Sequence, residues 1–150
     1  MKPITLTKQI NVPPDVVFAV AGDLANAAEH IQGIDRIELL TPQPVGVGTK
    51  WRETRKMMGK EATETLEITA FDPPRSYTVE ADSCGCHFVS TFRFTPEAGG
   101  TRVELEVASQ AKTFMAKLLS PLGCLMAGTM KKMMDQDLED LKHVAESRVD

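Results

Sequence analysis

The chain has 150 residues, 42% of them hydrophobic and 25% charged, and a formal net charge of −4. This composition predicts one globular domain over residues 1–150 with a proper core, and the acidic balance argues against nucleic acid, because phosphate binding needs a basic face. We expect no signal peptide and no stable membrane insertion, since no apolar run approaches the length of a membrane span. The three cysteines, an odd number, favour a reducing cytoplasm.

The first half of the chain predicts a strand followed by two short helices. Ile4–Val12 alternates apolar and polar residues, which is typical of a strand with one buried face. Pro13 ends this strand, one short helix runs from Asp15 to about Ala21, and a second runs from Leu24 to about Ile31. Six more strands, separated by turn residues, are predicted at Ile34–Leu40, Thr49–Met58, Glu61–Phe71, Ser76–Asp82, Cys86–Thr95 and Thr101–Ser109.

The last stretch, Ser120–Ser147, predicts one long amphipathic helix of roughly 40 Å. Its polar face is expected to include Asp140. Its apolar face consists of Leu122, Met126, Met130, Met133, Met134, Leu138, Leu141 and Ala145. Because tight turns join antiparallel neighbours, the pattern predicts an α+β domain with a curved antiparallel sheet around this helix.

The hairpin at Gly59-Lys60 suggests an inward-facing set of charges. A two-residue turn at these positions places Arg55 opposite Glu64 and Glu53 near them on the face that carries Trp51. Unpaired charges are not buried, so the set is either a polar patch that orients a ligand in an apolar cavity or a solvated ion pair near the open end of the sheet. In an enzyme, Glu53 or Glu64 would serve as general base.

Apolar and weakly polar side chains are expected to line the same space. The methionines indicate either a wall for a plastic, greasy ligand or ordinary core packing. Cys84-Gly85-Cys86 fits no zinc spacing, so we expect no metal and no cofactor. The other candidate ligand-binding residues are Trp51, Met57, Tyr77, Phe88, Ser90, Phe92, Met126, Met130 and Met133.

Five stretches, in order, resemble the START/Bet v 1-like (SRPBCC) superfamily, and more narrowly its polyketide cyclase/dehydrase and lipid-transport group. They are Ile10–Phe18 (INVPPDVVF), Gly33–Leu40 (GIDRIELL), Val45–Trp51 (VGVGTKW), Ile68–Arg75 (ITAFDPPR) and Gly99–Val103 (GGTRV). The resemblance implies a helix-grip fold, in which a seven-stranded antiparallel sheet grips the C-terminal helix around a cavity. Similar members bind lipids, sterols, quinones, polyketides or plant hormones, and some cyclise or dehydrate polyketides. They share no universal catalytic residue to transfer.

Three functional hypotheses follow. The first is binding or transport of a small hydrophobic ligand (lipid, quinone or polyketide-like) by a monomer or homodimer. The second is a cyclase or dehydratase in the same cavity, with Glu53 or Glu64 as base and Arg55 as oxyanion stabiliser. The third is a membrane or protein adaptor, which needs an exposed apolar patch flanked by lysines. That patch and its flanks are Phe114, Met115, Leu118, Leu119, Lys112 and Lys117.

Overall fold

The computed structural model describes residues 3–42, 44–57, 59–83, 85–111 and 120–148. Within these ranges the side chains of Met57 and Met126 lie outside the described part. The proposed adaptor patch, in residues 112–119, also lies outside it. No helix in the described ranges is long and apolar enough to cross a membrane.

Seven strands and a long C-terminal helix, with short helical pieces after the first strand, make up the described fold. The strands are β1 (Ile4–Ile10), β2 (Ile34–Leu39), β3 (Lys50–Met57), β4 (Lys60–Asp72), β5 (Ser76–Ser83), β6 (Cys86–Glu97) and β7 (Gly100–Ala111). The helices are α1 (Pro14–Ala21), a 3-10 turn (Leu24–Asn26), α2 (Ala27–His30) and α3 (Ser120–Ser147).

All strands form one antiparallel sheet in the order β1-β7-β6-β5-β4-β3-β2. Each neighbour from β2 to β7 follows the previous one through a short connection, and β1 closes the far edge against β7. One face of this sheet, the inner face, carries the apolar positions and is covered by α3, α1 and α2. The predicted α+β helix-grip architecture is confirmed.

Most element boundaries agree with the sequence prediction within two or three residues. β1 ends at Ile10, not Val12. The second predicted helix is a 3-10 turn followed by the single turn of α2. β6 and β7 are longer than predicted.

The predicted β3–β4 register was wrong by two residues. Met57 pairs with Lys60, which therefore belongs to β4 and not to the turn. Arg55 lies across from Ala62, and Glu53, not Arg55, lies directly across from Glu64. Gly59 adopts a positive φ of 82°, a conformation that glycine takes without steric cost. Because a slip of two residues preserves the side-chain alternation, the same residues still face inward.

The core lies between the inner face and the C-terminal half of α3. Leu138, Leu141 and Ala145 are buried there against strand residues such as Ile10 and Val103. Phe18 of α1 enters the same core, with its ring 5.3 Å from that of Phe94. This half of α3 is therefore fixed by packing.

Asp140 corrects the prediction for the polar face of α3. It was expected to be exposed, but it is only 6% exposed. Its carboxylate accepts hydrogen bonds from the backbone N–H and the side-chain amide of Gln32, both at 3.0 Å, and from the amide of Gln136. The segment between α2 and β2 covers this face of the helix, so Asp140 anchors that segment to α3.

Candidate functional site

The register places five inward residues in one row across the sheet. Trp51 of β3 pairs with Leu66, Leu66 with Ala81, Ala81 with Phe88, and Phe88 with Ser109 of β7. Trp51 is 4% exposed, whereas Leu66, Phe88 and Ser109 are only partly buried. This row is therefore an apolar wall that the described part of the chain covers incompletely.

The next two positions along β6 continue this wall. Ser90 and Phe92 face inward and are partly buried, and Phe94, further along, is 2% exposed. On α3, Met130, Met133 and Met134 are also partly buried. Burial thus falls from the well-packed end of the core toward these residues. We call the space between the inner face and the Met130–Met134 turn of α3 the inner groove.

A charged cluster joins the inner face of β3 to α3. Nε of Arg55 donates to Oε2 of Glu53 at 2.7 Å. Its Nη1 and Nη2 donate to Oδ1 and Oδ2 of Asp137 at 3.1 and 2.8 Å. The indole N–H of Trp51 donates to the other oxygen of Glu53 at 3.3 Å. The side chains of Glu53, Arg55 and Asp137 are only 16%, 14% and 24% exposed, so this network is largely withdrawn from water.

The ionisation of the cluster reflects two carboxylates that share one guanidinium. Burial alone would lower the pKa of Arg55, but the hydrogen bonds and charges of Asp137 and Glu53 outweigh it and raise the pKa. Burial raises the pKa of Asp137 more than its bonds to Arg55 lower it, and the charges of Glu53 and Asp140 add to this rise. The charged form of Arg55 is therefore strongly stabilised by its partners. The charged form of Asp137 is still disfavoured by burial, despite its pairing with Arg55.

Gly33 allows the guanidinium of Arg55 to lie against the segment before β2. A Cβ at this position would be 2.9 Å from Nη1 of Arg55 and 3.6 Å from Oδ1 of Asp137. Any larger residue would displace the bidentate pair or the backbone. The absence of a side chain at Gly33 is thus part of the geometry of the cluster.

Tyr77 lies on the same face of the sheet as this cluster. Its ring stacks on Phe92 with centroids 4.7 Å apart and is roughly perpendicular to the ring of Phe18. Burial, together with the charge of Glu53, raises the pKa of Tyr77. Within the described part of the chain, no hydrogen bond is formed by this hydroxyl. A hydroxyl on the inner face without a hydrogen bond to the described residues is a candidate contact for a ligand.

Glu64 faces inward across from Glu53 and is partly buried, with interactions of its own. The structure therefore brings together Trp51, Glu53, Arg55 and Glu64, and it places Tyr77 on the same face of the sheet. Sequence reasoning missed Asp137. A signal was available, because Asp137 is four residues from both Met133 and Leu141 and so belongs to the apolar face of α3.

A second polar cluster lies on the outer face of the sheet. His87 is bonded through Nε2 to Glu80 and through Nδ1 to Asp82, each at 2.7 Å. His87 points away from Cys86, as the strand alternation predicts. Among the described residues, no group of three or more histidine, cysteine or acidic side chains is arranged to hold a metal ion.

Comparison with known proteins identifies the family. The family model described as "Polyketide cyclase / dehydrase and lipid transport" matches residues 1–146. The chain belongs to this family. No curated protein matches the chain.

Solved structures confirm the START/Bet v 1-like architecture of this family member. TTHA0849 from Thermus thermophilus is similar with a TM-score of 0.81 at 20% identity, covering 99% of this chain and 100% of that one. Ara h 8.0201 is similar with a TM-score of 0.79 at 17% identity, covering 97% and 98%. The Zhui aromatase/cyclase from Streptomyces sp. R1128 gives 0.76 at 16%, covering 99% and 96%. At these identities the likeness establishes the fold.

Proposed function

We propose that the protein binds a small hydrophobic molecule, of the lipid, quinone or polyketide-like kind, in the inner groove. The observation that carries this proposal is that the described part of the chain covers the inward side chains Phe88, Ser90 and Phe92 incompletely, next to residues of the same face that are fully buried. Inward apolar surface is normally covered by the core, so a wall left partly open suits a guest molecule.

The polar groups of the groove are few and converge at one place, which is typical of ligand pockets. Glu53 lies between Trp51 and Arg55, and Tyr77 adds a hydroxyl to the same face of the sheet. The apolar wall would supply most of the binding free energy through burial of the ligand, at roughly 25 cal/mol per Å² of apolar surface. The polar groups would fix its orientation. The family description, which includes lipid transport, is consistent with this role.

Native mass spectrometry of the freshly purified protein, followed by denaturing extraction, tests the proposal directly. We expect a co-purifying apolar molecule. Trp51 is the only tryptophan and lies in the wall, so its fluorescence provides an independent titration with candidate lipids and quinones. Only apo protein from several expression hosts, together with unchanged Trp51 fluorescence throughout such a series, would contradict the proposal.

Two matched variants of β6 locate the bound molecule. Ser90→Leu adds apolar volume on the inner face, whereas Thr91→Leu adds similar volume on the outer face, where Thr91 pairs with Thr78. We expect Ser90→Leu to reduce affinity at least about tenfold by occupying the groove, and Thr91→Leu to leave it unchanged. Equal effects of the two substitutions would place binding elsewhere.

The second candidate function is a cyclase or dehydratase reaction in the same groove, favoured by the inward and largely buried carboxylate of Glu53. Glu53 would act as general base. Arg55 is a poor oxyanion stabiliser as it stands, because its N–H groups are directed at Glu53 and Asp137. Glu53→Gln separates the two functions: an enzyme loses turnover of a bound polyketide and retains affinity, whereas a carrier loses affinity or is unaffected.

Localisation and assembly remain part of the proposal. We place the protein in the cytoplasm, as a monomer or homodimer, and Cys86 is a free thiol, consistent with a reducing compartment. The adaptor hypothesis depends on residues 112–119 and is tested separately. Leu118→Asp should abolish liposome or partner binding if that hypothesis holds, with ligand binding in the groove intact.

A further inference from the structure

We propose that the inner groove selects ligands that carry a neutral hydrogen-bond donor, an alcohol or phenol hydroxyl, and rejects carboxylates. This inference rests on the proposed function and specifies the chemistry of its ligand. It reverses the simplest expectation for Arg55, which as a buried cation would be expected to bind a ligand carboxylate. The reversal follows from the partners that Arg55 already has.

Arg55 has little donor capacity left for a ligand. A guanidinium has five N–H groups. Three of them are directed at carboxylates, one at Glu53 and two at Asp137. The backbone at Gly33 lies against Nη1 so closely that a Cβ there would be 2.9 Å away. The pair of N–H groups on Nη1 and Nη2 is therefore taken by Asp137, and the edge that includes Nε is engaged by Glu53, so no bidentate edge of Arg55 is left for a ligand carboxylate.

A ligand in the inner groove would meet a net negative charge. Glu53, Arg55 and Asp137 together carry two negative charges and one positive charge, and all three are largely buried. Lys8 on β1, a second cation on the described part of the inner face, is likewise held by Glu139 at 2.7 Å and by Asp135 at 3.4 Å. Both of these described cations are already engaged, so a ligand carboxylate would add a negative charge to a poorly solvated cluster that already holds two, which is costly.

Glu53 retains hydrogen-bond acceptor capacity. An ionised carboxylate offers about four lone-pair sites. One hydrogen bond reaches each oxygen of Glu53, from Trp51 at 3.3 Å and from Arg55 at 2.7 Å. Tyr77, on the same face of the sheet, carries a hydroxyl that can donate as well as accept. A ligand hydroxyl can donate to the remaining lone pairs of Glu53, whereas an ionised ligand carboxylate has no proton to donate.

Isothermal titration with decanol and decanoate at neutral pH tests this selectivity, because the two probes share an apolar chain and differ in the polar group. We expect decanol to bind at least about tenfold more tightly than decanoate, and Ser90→Leu to abolish its binding. Decanoate binding as tightly as decanol, with both lost in Ser90→Leu, would overturn the selectivity and leave the proposed function standing. Binding of neither probe would overturn both.

Two substitutions test the mechanism of selection. Asp137→Asn removes the charge that engages Arg55 and should raise decanoate affinity about tenfold relative to decanol. Glu53→Gln removes the negative charge of the acceptor and should likewise raise the affinity for decanoate relative to decanol. Glu38→Gln, on the exposed outer side beside Arg52, is the matched control and should leave the ratio unchanged. If Asp137 had only a structural role, Asp137→Asn would weaken the binding of decanol and decanoate equally, and that result would refute the proposal.

Discussion

The cluster around Arg55 makes a quantitative prediction for the stability of the protein. Arg55→Gln leaves the carboxylates of Glu53 and Asp137 facing each other without their cation. Breaking a buried ion pair by removing one partner typically costs about 3–5 kcal/mol, and the partial exposure of these side chains places the expected loss at the lower end, about 3 kcal/mol. With a urea m-value of about 2 kcal/mol/M, the unfolding midpoint should fall by about 1.5 M.

The loss should depend on pH in a defined direction. The folded-state pKa of Asp137 is raised above its ordinary value of 3.8, so its contribution to stability is fully present below that value and declines as pH rises through the folded pKa. Arg55 lowers this pKa through a hydrogen bond and its charge, so Arg55→Gln raises it further. The deficit of the variant is therefore largest at neutral pH and shrinks in acidic solution, as the pH falls through the raised pKa of Asp137 and this carboxylate takes up a proton.

Urea unfolding of wild type, Arg55→Gln and Arg52→Gln at neutral and at acidic pH provides the measurement. Arg52 lies on the outer face of the same strand, is 52% exposed and contacts Glu38 at 3.4 Å, so its substitution should cost at most about 1 kcal/mol. Adding Asp137→Asn to Arg55→Gln should recover part of the loss. Equal losses for the two arginine variants, or a loss for Arg55→Gln that is the same at both pH values, would refute the reasoning.

Three further predictions concern backbone contacts and the single tyrosine. Gly33→Ala should destabilise the protein by about 1 kcal/mol in urea unfolding, and by less in an Arg55→Gln background, because its Cβ displaces the guanidinium. Gly100→Ala should cost about 3 kcal/mol, since its Cβ would collide with the Ile10 carbonyl oxygen, whereas Gly46→Ala, with open space around it, should be neutral. Tyr77 should show no tyrosinate absorbance in the native protein at about pH 10, where the urea-unfolded chain is half ionised, and stability should fall above that pH.

Much of the fold was predictable because alternation and helical periodicity are local properties of the chain. The inward orientation of Glu53 and Arg55 followed from period-two alternation alone, and it survived the two-residue error in the β3–β4 register. The long helix Ser120–Ser147 followed from its apolar stripe. The family followed from turn motifs that several parts of this fold require.

The register and the partners of the charged residues were decided by tertiary structure. The pairing of Met57 with Lys60 depends on how the hairpin closes. The predicted and the observed turn keep the same side chains on the inner face, so side-chain alternation did not distinguish between them. In the sequence, Asp140 is one more charge on the polar face of a helix. In the structure, the segment around Gln32 covers it. Both errors arose where a second part of the chain determined the outcome.

The sequence by itself determined which faces are apolar, where the helix runs and that Glu53 and Arg55 lie inside, because each of these depends on side-chain alternation between near neighbours. Only the tertiary structure brought Asp137 to Arg55 across 82 positions of the chain. That contact depends on the angle and position at which α3 crosses the sheet, which the packing of the whole core sets. The charge and donor capacity of the candidate site therefore follow from the assembled fold.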